Sequence, residues 1–383
     1  MEKKAFLLII PIIVLIFNAL IIFNPTPVML AARAGAILWF NNVLPSLLPF
    51  MIGTNMLLKL GFVNFIGTLL EPVMRPLFGV SGQGAFALVM GAASGYPIGA
   101  QVCASLREDG KVNKIEAQRL LSFVNNSGPL FMIGAVGAGM FGNERIGYFI
   151  LVSCLAGAVL TGMLFKFYRR SEGRAGELRR RINYTERNKE PFGKILSESI
   201  MEAIRSLCLV AGFIILFSVL LKILEIAGAI DMAAGLLYSL GIPGGKELIS
   251  AAIYGFFEIT NGANKLAAQE ASREVIVLCT ALVSFGGMSI FSQSIAFLAK
   301  TDIKASVFLV SKLLNAAFTA VIGFMIYPLW NFEITHPEHI TPVFAHGPVR
   351  SLLFSTIICA MVVFAILVTV FAVNIRIVMR ERK

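Results

Sequence analysis

Four short segments concentrate polar and helix-breaking residues within otherwise apolar sequence. Ser94–Gly99 reads SGYPIG, Asn125–Pro129 reads NNSGP, Glu258–Gly262 reads EITNG and Ser284–Ser289 reads SFGGMS. Proline stops a helix and glycine permits tight turns, so these segments are predicted to interrupt helices. Asn and Ser side chains add hydrogen-bond donors and acceptors. The chemistry that these residues suit is the binding of a small polar solute.

Two ionisable residues, Glu258 and Lys312, lie within the apolar region. A charge in hydrocarbon is costly without a partner or a wet cavity, so each is a candidate for function. Lys312 is predicted either to attract an anionic solute or to pair with Glu258. Glu258 is predicted to bind a coupling Na⁺ or to carry a proton. We predict no cofactor beyond such a coupling ion.

The predicted site collects the residues of these segments. Half-helix N-termini carry partial positive charge and free donors, which suits an anionic or carboxylate-bearing solute. The alternative is that small and polar residues only pack helices together. No GxSxG or HExxH motif occurs, so we predict no enzyme and no catalytic or metal-binding residue. The predicted substrate-binding residues are Ser94, Gly95, Tyr96, Pro97, Gly99, Asn125, Asn126, Ser127, Gly128, Thr260, Asn261, Gly262, Ser289 and Lys312, with Glu258 as the ion-coupling candidate.

The composition excludes an ordinary soluble protein. Of 383 residues, 57% are hydrophobic and 14% are charged, against about 25% charged in an average soluble domain. The apolar residues form long runs, and the run 5–23 is uncharged and long enough to cross hydrocarbon. The net charge of +11 comes from basic residues clustered between these runs, which is typical of cytoplasmic loops. We therefore predict a multi-pass cell-membrane protein surrounded by lipid, with no nucleic-acid partner.

The distribution of charge predicts a topology. The basic segment 166–194, the N-terminus and the C-terminal tail are predicted to be cytoplasmic, and the loop 331–350 to be external. These assignments agree only if 83–104 and 248–268 are re-entrant hairpins that enter and leave on one side. The predicted spans are 5–23, 36–60, 116–142, 146–168, 199–226, 274–299, 305–328 and 351–376.

The two halves of the chain are similar at an offset of about 162 residues. Gly79–Gly82 aligns with Gly241–Gly244, and the serine pair Ser122 and Ser127 aligns with a second pair at Ser284 and Ser289. Each half contains, in order, a span, an amphipathic segment, a hairpin and two further spans. The distribution of basic residues predicts that the two halves have opposite orientations in the membrane. This predicts an inverted-topology repeat, as in many secondary transporters. Chance similarity between Gly-rich helices is the alternative.

The sequence from Ser94 onward also resembles a known family. SGYPIGAQVCASL, then EAQRLLSFVNNSGPLFMIGAVGAGMF, and the earlier LPSLLPF at 44–50 are similar to the sporulation integral membrane protein family YlbJ/SpoVV. The resemblance runs from about residue 30 to the last span. It implies a nucleoside-recognition or gate-domain membrane protein, a group whose wider relatives include concentrative nucleoside transporters and spore maturation proteins.

The predicted fold is all-α: a polytopic helical membrane protein with about eight spans, two re-entrant hairpins and an inverted-topology repeat. Its predicted parts are an N-terminal transmembrane helix (1–30), a first gate-type repeat (31–168), a basic cytoplasmic linker (169–195), a second, inverted gate-type repeat (196–330), an external loop (331–350) and a C-terminal transmembrane helix with a basic tail (351–383).

The resemblance further implies a transporter of a small anionic solute, dipicolinic acid, in the outer forespore membrane of sporulating cells. Tyr96 would then stack on the pyridine ring or serve only as a packing aromatic, and Lys312 would supply the counter-charge. The alternatives are a transporter of nucleosides or another small polar solute, and a sporulation membrane assembly factor that transports nothing. A homo-oligomer is a candidate assembly.

Overall fold

The computed structural model of the protein describes residues 2–169, 191–330 and 332, without the side chains of 2–10, Asn42 and Ser46. Within these ranges the regular structure is helical and contains no strand, which confirms the all-α prediction. Most of the predicted linker, most of the predicted external loop and the predicted span 351–376 lie outside the described residues.

The chain begins with two helices that meet at a sharp bend. Helix α1 (Glu2–Phe23) and helix α2 (Pro25–Leu38) lie at 104° to each other. Asn24 leaves the helical backbone conformation, and Pro25 suits the first turn of the next helix. Helix α2 continues through a π-helical turn into α3 (Leu44–Lys59). The predicted division after residue 30 falls inside helix α2.

The remainder of the first half contains the first hairpin and a broken helix. Its elements are α4 (Phe62–Phe78), α5 (Gly84–Ser94), α6 (Ile98–Glu108), α7 (Lys114–Val124), a π-helix (Leu130–Met140) and α8 (Glu144–Phe165). Helices α5 and α6 form the hairpin predicted at 83–104. The span predicted at 116–142 consists of two half-helices, because Asn125–Pro129 interrupts it.

The second half follows the same order. Its elements are α9 (Phe192–Ile226), α10 (Ala229–Ser239), α11 (Gly245–Phe257), α12 (Ile259–Ala267), α13 (Arg273–Phe285), α14 (Gly287–Leu298) and α15 (Ala305–Ile326). Helices α5, α6 and α8 are the counterparts of α11, α12 and α15. Each of the three begins the same number of residues before its counterpart. The predicted repeat of elements is therefore present, and the opposite orientation of the halves stays a prediction based on charge.

Within the described residues, four segments are long and apolar enough to cross a membrane, or six if each bent helix pair counts as one span. The four are α8, α9, α13 with α14, and α15. They coincide with the spans predicted at 146–168, 199–226, 274–299 and 305–328. The total of eight spans stays a prediction.

The two largest of the four apolar cores among the described residues meet at the helix breaks. The first core packs α3 to α7 against residues that follow the second helix break, at Ser284–Ser289 between α13 and α14. Among them are Phe291 and Phe308, whose rings stack at 5.3 Å. The second core packs residues that follow the first break, such as Met132 and Phe149, with α12 and α13. The two halves therefore interlock, and the polar breaks lie where the cores meet.

Candidate functional site

The tip of the first hairpin packs against the break that follows it. Gly95 ends α5 at a φ of +82° and lies against the backbone of Gly128. A Cβ atom on Gly128 would stand 2.8 Å from the carbonyl oxygen of Ser94. Only residues without side chains allow this approach. Tyr96 and Pro97, joined by a cis peptide bond, complete the tip.

The tip of the second hairpin packs against the second break in the same way. Gly287, at a φ of +78°, faces the turn between α11 and α12. A Cβ atom on this glycine would lie 3.2 Å from the carbonyl oxygen of Phe257 and 3.3 Å from the backbone nitrogen of Ile259. The repeat is thus reproduced in the contacts as well as in the order of helices.

Glu258 is the N-cap of α12. Its two carboxylate oxygens accept hydrogen bonds from the backbone N–H groups of Thr260, at 3.0 Å, and Asn261, at 2.8 Å. The side-chain amide of Asn261 donates a further bond of 2.8 Å. These bonds satisfy donors that the end of a helix otherwise leaves open. The expectation of free donors at half-helix N-termini is therefore wrong for α12.

Asn125 joins the two halves at the first break. Its side-chain oxygen accepts from the backbone N–H of Ala100 at 3.2 Å, and its side-chain amide donates to Ser294 Oγ at 2.9 Å. The ring of Tyr96 makes a second link, because a Cβ atom on Gly286 would lie only 3.3 Å from its Cε1 atom. The first hairpin, the first break and the start of α14 therefore meet.

Lys312 lies buried in α15, and its side chain ends at both breaks. Its Nζ atom donates to the carbonyl oxygens of Asn125, at 2.9 Å, and Ser284, at 2.6 Å. Lys312 forms no ion pair with Glu258, whose carboxylate caps α12 instead. An ammonium has three donors, and the third has no partner among the described residues.

Sequence reasoning missed two residues that share the buried face of α15 with Lys312. The side-chain amide of Asn315 donates to Asn126 Oδ1 at 2.8 Å, and the Thr319 hydroxyl donates to Ser284 Oγ at 3.0 Å. Residues three and seven positions after Lys312 lie on its side of a helix. This polar stripe at helical spacing was the signal that could have identified them.

Several buried polar atoms at this junction have no hydrogen-bond partner among the described residues. They include the hydroxyls of Ser94, Tyr96 and Ser127 and the side-chain oxygen of Gln293. The amide of Gln293 donates to Ser289 Oγ at 3.3 Å, so its free oxygen is next to the start of α14. Buried polar groups are rarely left unpaired in proteins, so each of these atoms calls for a water molecule or a ligand.

The same region matches known proteins. The family described as "Gate: Nucleoside recognition" matches residues 40–144, which include the first tip and the first break. The "Sporulation integral membrane protein YlbJ" of Bacillus subtilis (strain 168) is 34% identical over 335 residues, or 82% of each chain. The chain belongs to the YlbJ family. No solved structure matches it. The family resemblance predicted from SGYP and NNSGPLF is thus confirmed.

In this YlbJ-family chain the four predicted segments meet, but only some of their residues line the junction between the two cores. The first tip, the first break and Ser289 line the junction between the two cores. Asn261 is exposed, and Gly262 packs against Gly255 where α11 and α12 cross. Gly99 instead packs against the carbonyl of Val124 and the backbone of Asn125, at the first break. The arrangement offers hydroxyls, amides and a half-helix N-terminus at one buried place.

Proposed function

We propose that this YlbJ-family protein is a transporter of a small aromatic carboxylate, with dipicolinic acid as the substrate and the outer forespore membrane as the place of action. The Bacillus subtilis relative is named a sporulation integral membrane protein. Dipicolinate is the solute that the family resemblance implies. The broken helices favour a transport function, because irregular backbone at membrane depth is tolerated only where it is buried in protein or lines a cavity.

The observation that carries this proposal is the pair of unpartnered hydroxyls on Tyr96 and Ser127. Both oxygen atoms are buried and lie close to each other, and neither has a partner of good hydrogen-bond geometry among the described residues. They lie at the contact between the first tip and the first break. A solute carboxylate could accept hydrogen bonds from both hydroxyls, and a ring could stack on Tyr96.

The start of α14 supports an anionic solute. No side chain caps this half-helix at Gly286, so its first N–H groups stay available, in contrast to those of α12. The N-terminal end of a helix carries partial positive charge and binds carboxylates. The ammonium of Lys312 is at the same junction and adds a full positive charge.

Uptake into proteoliposomes tests the proposal. Purified protein is reconstituted and radiolabelled dipicolinate is added under imposed Na⁺, H⁺ and voltage gradients. We expect saturable uptake. Tyr96→Phe removes one hydrogen bond and is expected to raise KM roughly 2- to 10-fold, as is Ser127→Ala. Tyr238→Phe is the matched control, because Tyr238 is an exposed tyrosine, and its KM is expected to equal that of the wild type.

Two results would overturn the proposal. Absence of uptake under every gradient, with folded protein in the vesicles, favours the assembly factor that transports nothing. Uptake with an unchanged KM in both Tyr96→Phe and Ser127→Ala would show that the solute does not bind at the first tip.

A nucleoside is the second candidate solute, favoured by one specific observation. Apart from the third donor of Lys312, the unpartnered polar atoms of the first tip, the first break and the start of α14 belong to neutral hydroxyl and amide groups, and Glu258 places a negative charge at the second tip. Such groups suit a ribose and a base, and the nucleoside-recognition family description covers the first tip. Competition decides between the two. Inhibition of dipicolinate uptake by micromolar uridine or adenosine favours nucleosides, and no inhibition favours the carboxylate.

A further inference from the structure

Lys312 joins the C-terminal ends of two half-helices. Asn125 is the C-cap of α7, and Ser284 is in the last turn of α13. The carbonyl oxygens of both residues accept hydrogen bonds from Lys312 Nζ. The side chain is 2% exposed, so water is nearly excluded. The ammonium is therefore held by backbone oxygen atoms from both halves of the repeat.

The surroundings of this ammonium resemble those of a bound metal cation. The C-terminal end of a helix carries partial negative charge and leaves carbonyl oxygens without partners. In transporters with broken helices, such ends and unwound carbonyls coordinate Na⁺ near the midplane. Here both carbonyls already have a cation, and it is covalently attached to α15.

The charge of Lys312 has no carboxylate to balance it in the part of the chain that the structure describes. Glu258 is the acidic residue of the second tip, and its oxygens are used by Thr260 and Asn261. The positive charge is therefore balanced by carbonyl dipoles, as that of a metal ion in such a place would be. This distinguishes Lys312 from an ordinary buried salt bridge.

We propose that the Lys312 ammonium is a built-in replacement for a coupling cation at the junction of α7 and α13. It holds the two breaks together permanently, so the junction forms without Na⁺. The proposal concerns this junction whatever the transported solute is, and its test measures stability, so it can fail or succeed independently of the proposed function.

Two substitutions at this position separate a cation site from simple packing. Lys312→Ala removes the ammonium and leaves space beside two carbonyls that have lost their donor. A small cation can enter that space. Lys312→Met also removes the ammonium but fills much of the space with an apolar side chain. Lys304→Ala is the matched control, because Lys304 is an exposed lysine at the start of the same helix.

The experiment measures thermal unfolding of the purified full chain in detergent. The salt is choline chloride, which is replaced stepwise by sodium chloride or methylammonium chloride at constant ionic strength. We expect the unfolding midpoint of the wild type and of Lys304→Ala to be the same in all three salts. Lys312→Ala is expected to unfold at least about 4 °C lower in choline. Sodium or methylammonium should restore part of that loss with a saturable dependence. Lys312→Met should be destabilised and not restored.

Three outcomes would overturn the proposal. The first is a saturable rise of the wild-type midpoint with sodium. The second is a midpoint of Lys312→Ala equal to that of the wild type in choline. The third is an equal response of the Ala and Met variants to the small cations, including no response in either. If neither variant folds, the wild-type sodium titration decides: an unchanged midpoint supports the built-in cation, and a saturable rise contradicts it.

Discussion

The side-chain amide of Asn315 donates a hydrogen bond of 2.8 Å to the side-chain oxygen of Asn126. One residue is on the last described span, and the other is in the first break, so this bond ties the two halves of the repeat. Asn126 also donates to the carbonyl oxygen of Phe123 at 2.6 Å. Both residues are buried: Asn126 is 7% exposed and Asn315 is 0% exposed.

Removing either partner of this bond is expected to destabilise the protein. Asn126→Ala and Asn315→Ala should each lower the free energy of unfolding by about 1–3 kcal/mol, because the remaining amide is left buried without its partner. The double variant should cost less than the sum. Thermal or denaturant unfolding in detergent measures all three. Asn264→Ala, at an exposed position, should change stability by less than about 0.5 kcal/mol. Strict additivity of the two single variants would contradict the coupling.

Gly95→Ala should disrupt the contact between the first tip and the first break. The backbone of Gly95, at a φ of +82° and a ψ of −169°, lies in a region essentially restricted to glycine and costs an alanine about 1–3 kcal/mol, and the clash with Gly128 adds overpacking of about 1–3 kcal/mol. Gly61→Ala is the control for a positive φ without a clash, because Gly61 has a φ of +77° and a ψ of 15° and open space around it. Unfolding midpoints separate the two costs. Equal losses in both variants would show that the close contact contributes nothing.

Glu258 is expected to have a structural role and a coupling role that two substitutions separate. Glu258→Ala removes the cap of α12 and should cost about 0.5–2 kcal/mol of stability. Glu258→Gln keeps one oxygen acceptor and should cost less. Loss of the carboxylate is nevertheless expected to change the dependence of uptake on pH. Uptake by Glu258→Gln that matches the wild type at every pH would restrict Glu258 to capping.

An exposed ion pair links the end of α6 to the loop before α15. The Arg107 guanidinium donates to both carboxylate oxygens of Asp302, at 2.8 and 3.0 Å. These bonds lower the pKa of Asp302 below its usual value of about 3.9. The pair therefore stabilises the fold above that usual value, and the stabilisation is lost as pH falls through the lowered pKa.

Asp302→Asn is expected to lower stability at neutral pH by no more than about 1 kcal/mol, because both side chains are solvent-accessible. The difference from the wild type should vanish as pH falls below the lowered pKa of Asp302, where the carboxyl is protonated in both the folded and the unfolded state. Unfolding as a function of pH measures this. Asp109→Asn is the control, since its partner Lys111 is only two residues away. A difference that persists at low pH would show that Asp302 acts through another contact.

Part of the site was predictable because its signals are local. Ser94–Gly99 and Asn125–Pro129 contain glycine and proline within apolar runs, and the structure breaks the helices there. The hairpins at α5–α6 and α11–α12 followed from counting basic residues. The roles of Glu258 and Lys312 were not predictable, because a side chain's partner depends on elements far away in the chain. Glu258 caps its own helix, and Lys312 reaches Asn125, which lies in the other half.

The sequence by itself determined that this is an integral membrane protein, that the order of helices in its first half is repeated in its second half, and where its helices break. Hydrophobic length, charge and helix-breaking residues are properties of short segments, so they can be read without coordinates. Only the tertiary structure decided which breaks meet and which groups remain without partners. Packing of α15 against the first half brings Lys312 and Asn315 to the first break, and packing of the first tip leaves the Tyr96 hydroxyl unpaired. Such pairings depend on the distances that the whole fold sets, and these are absent from any single segment.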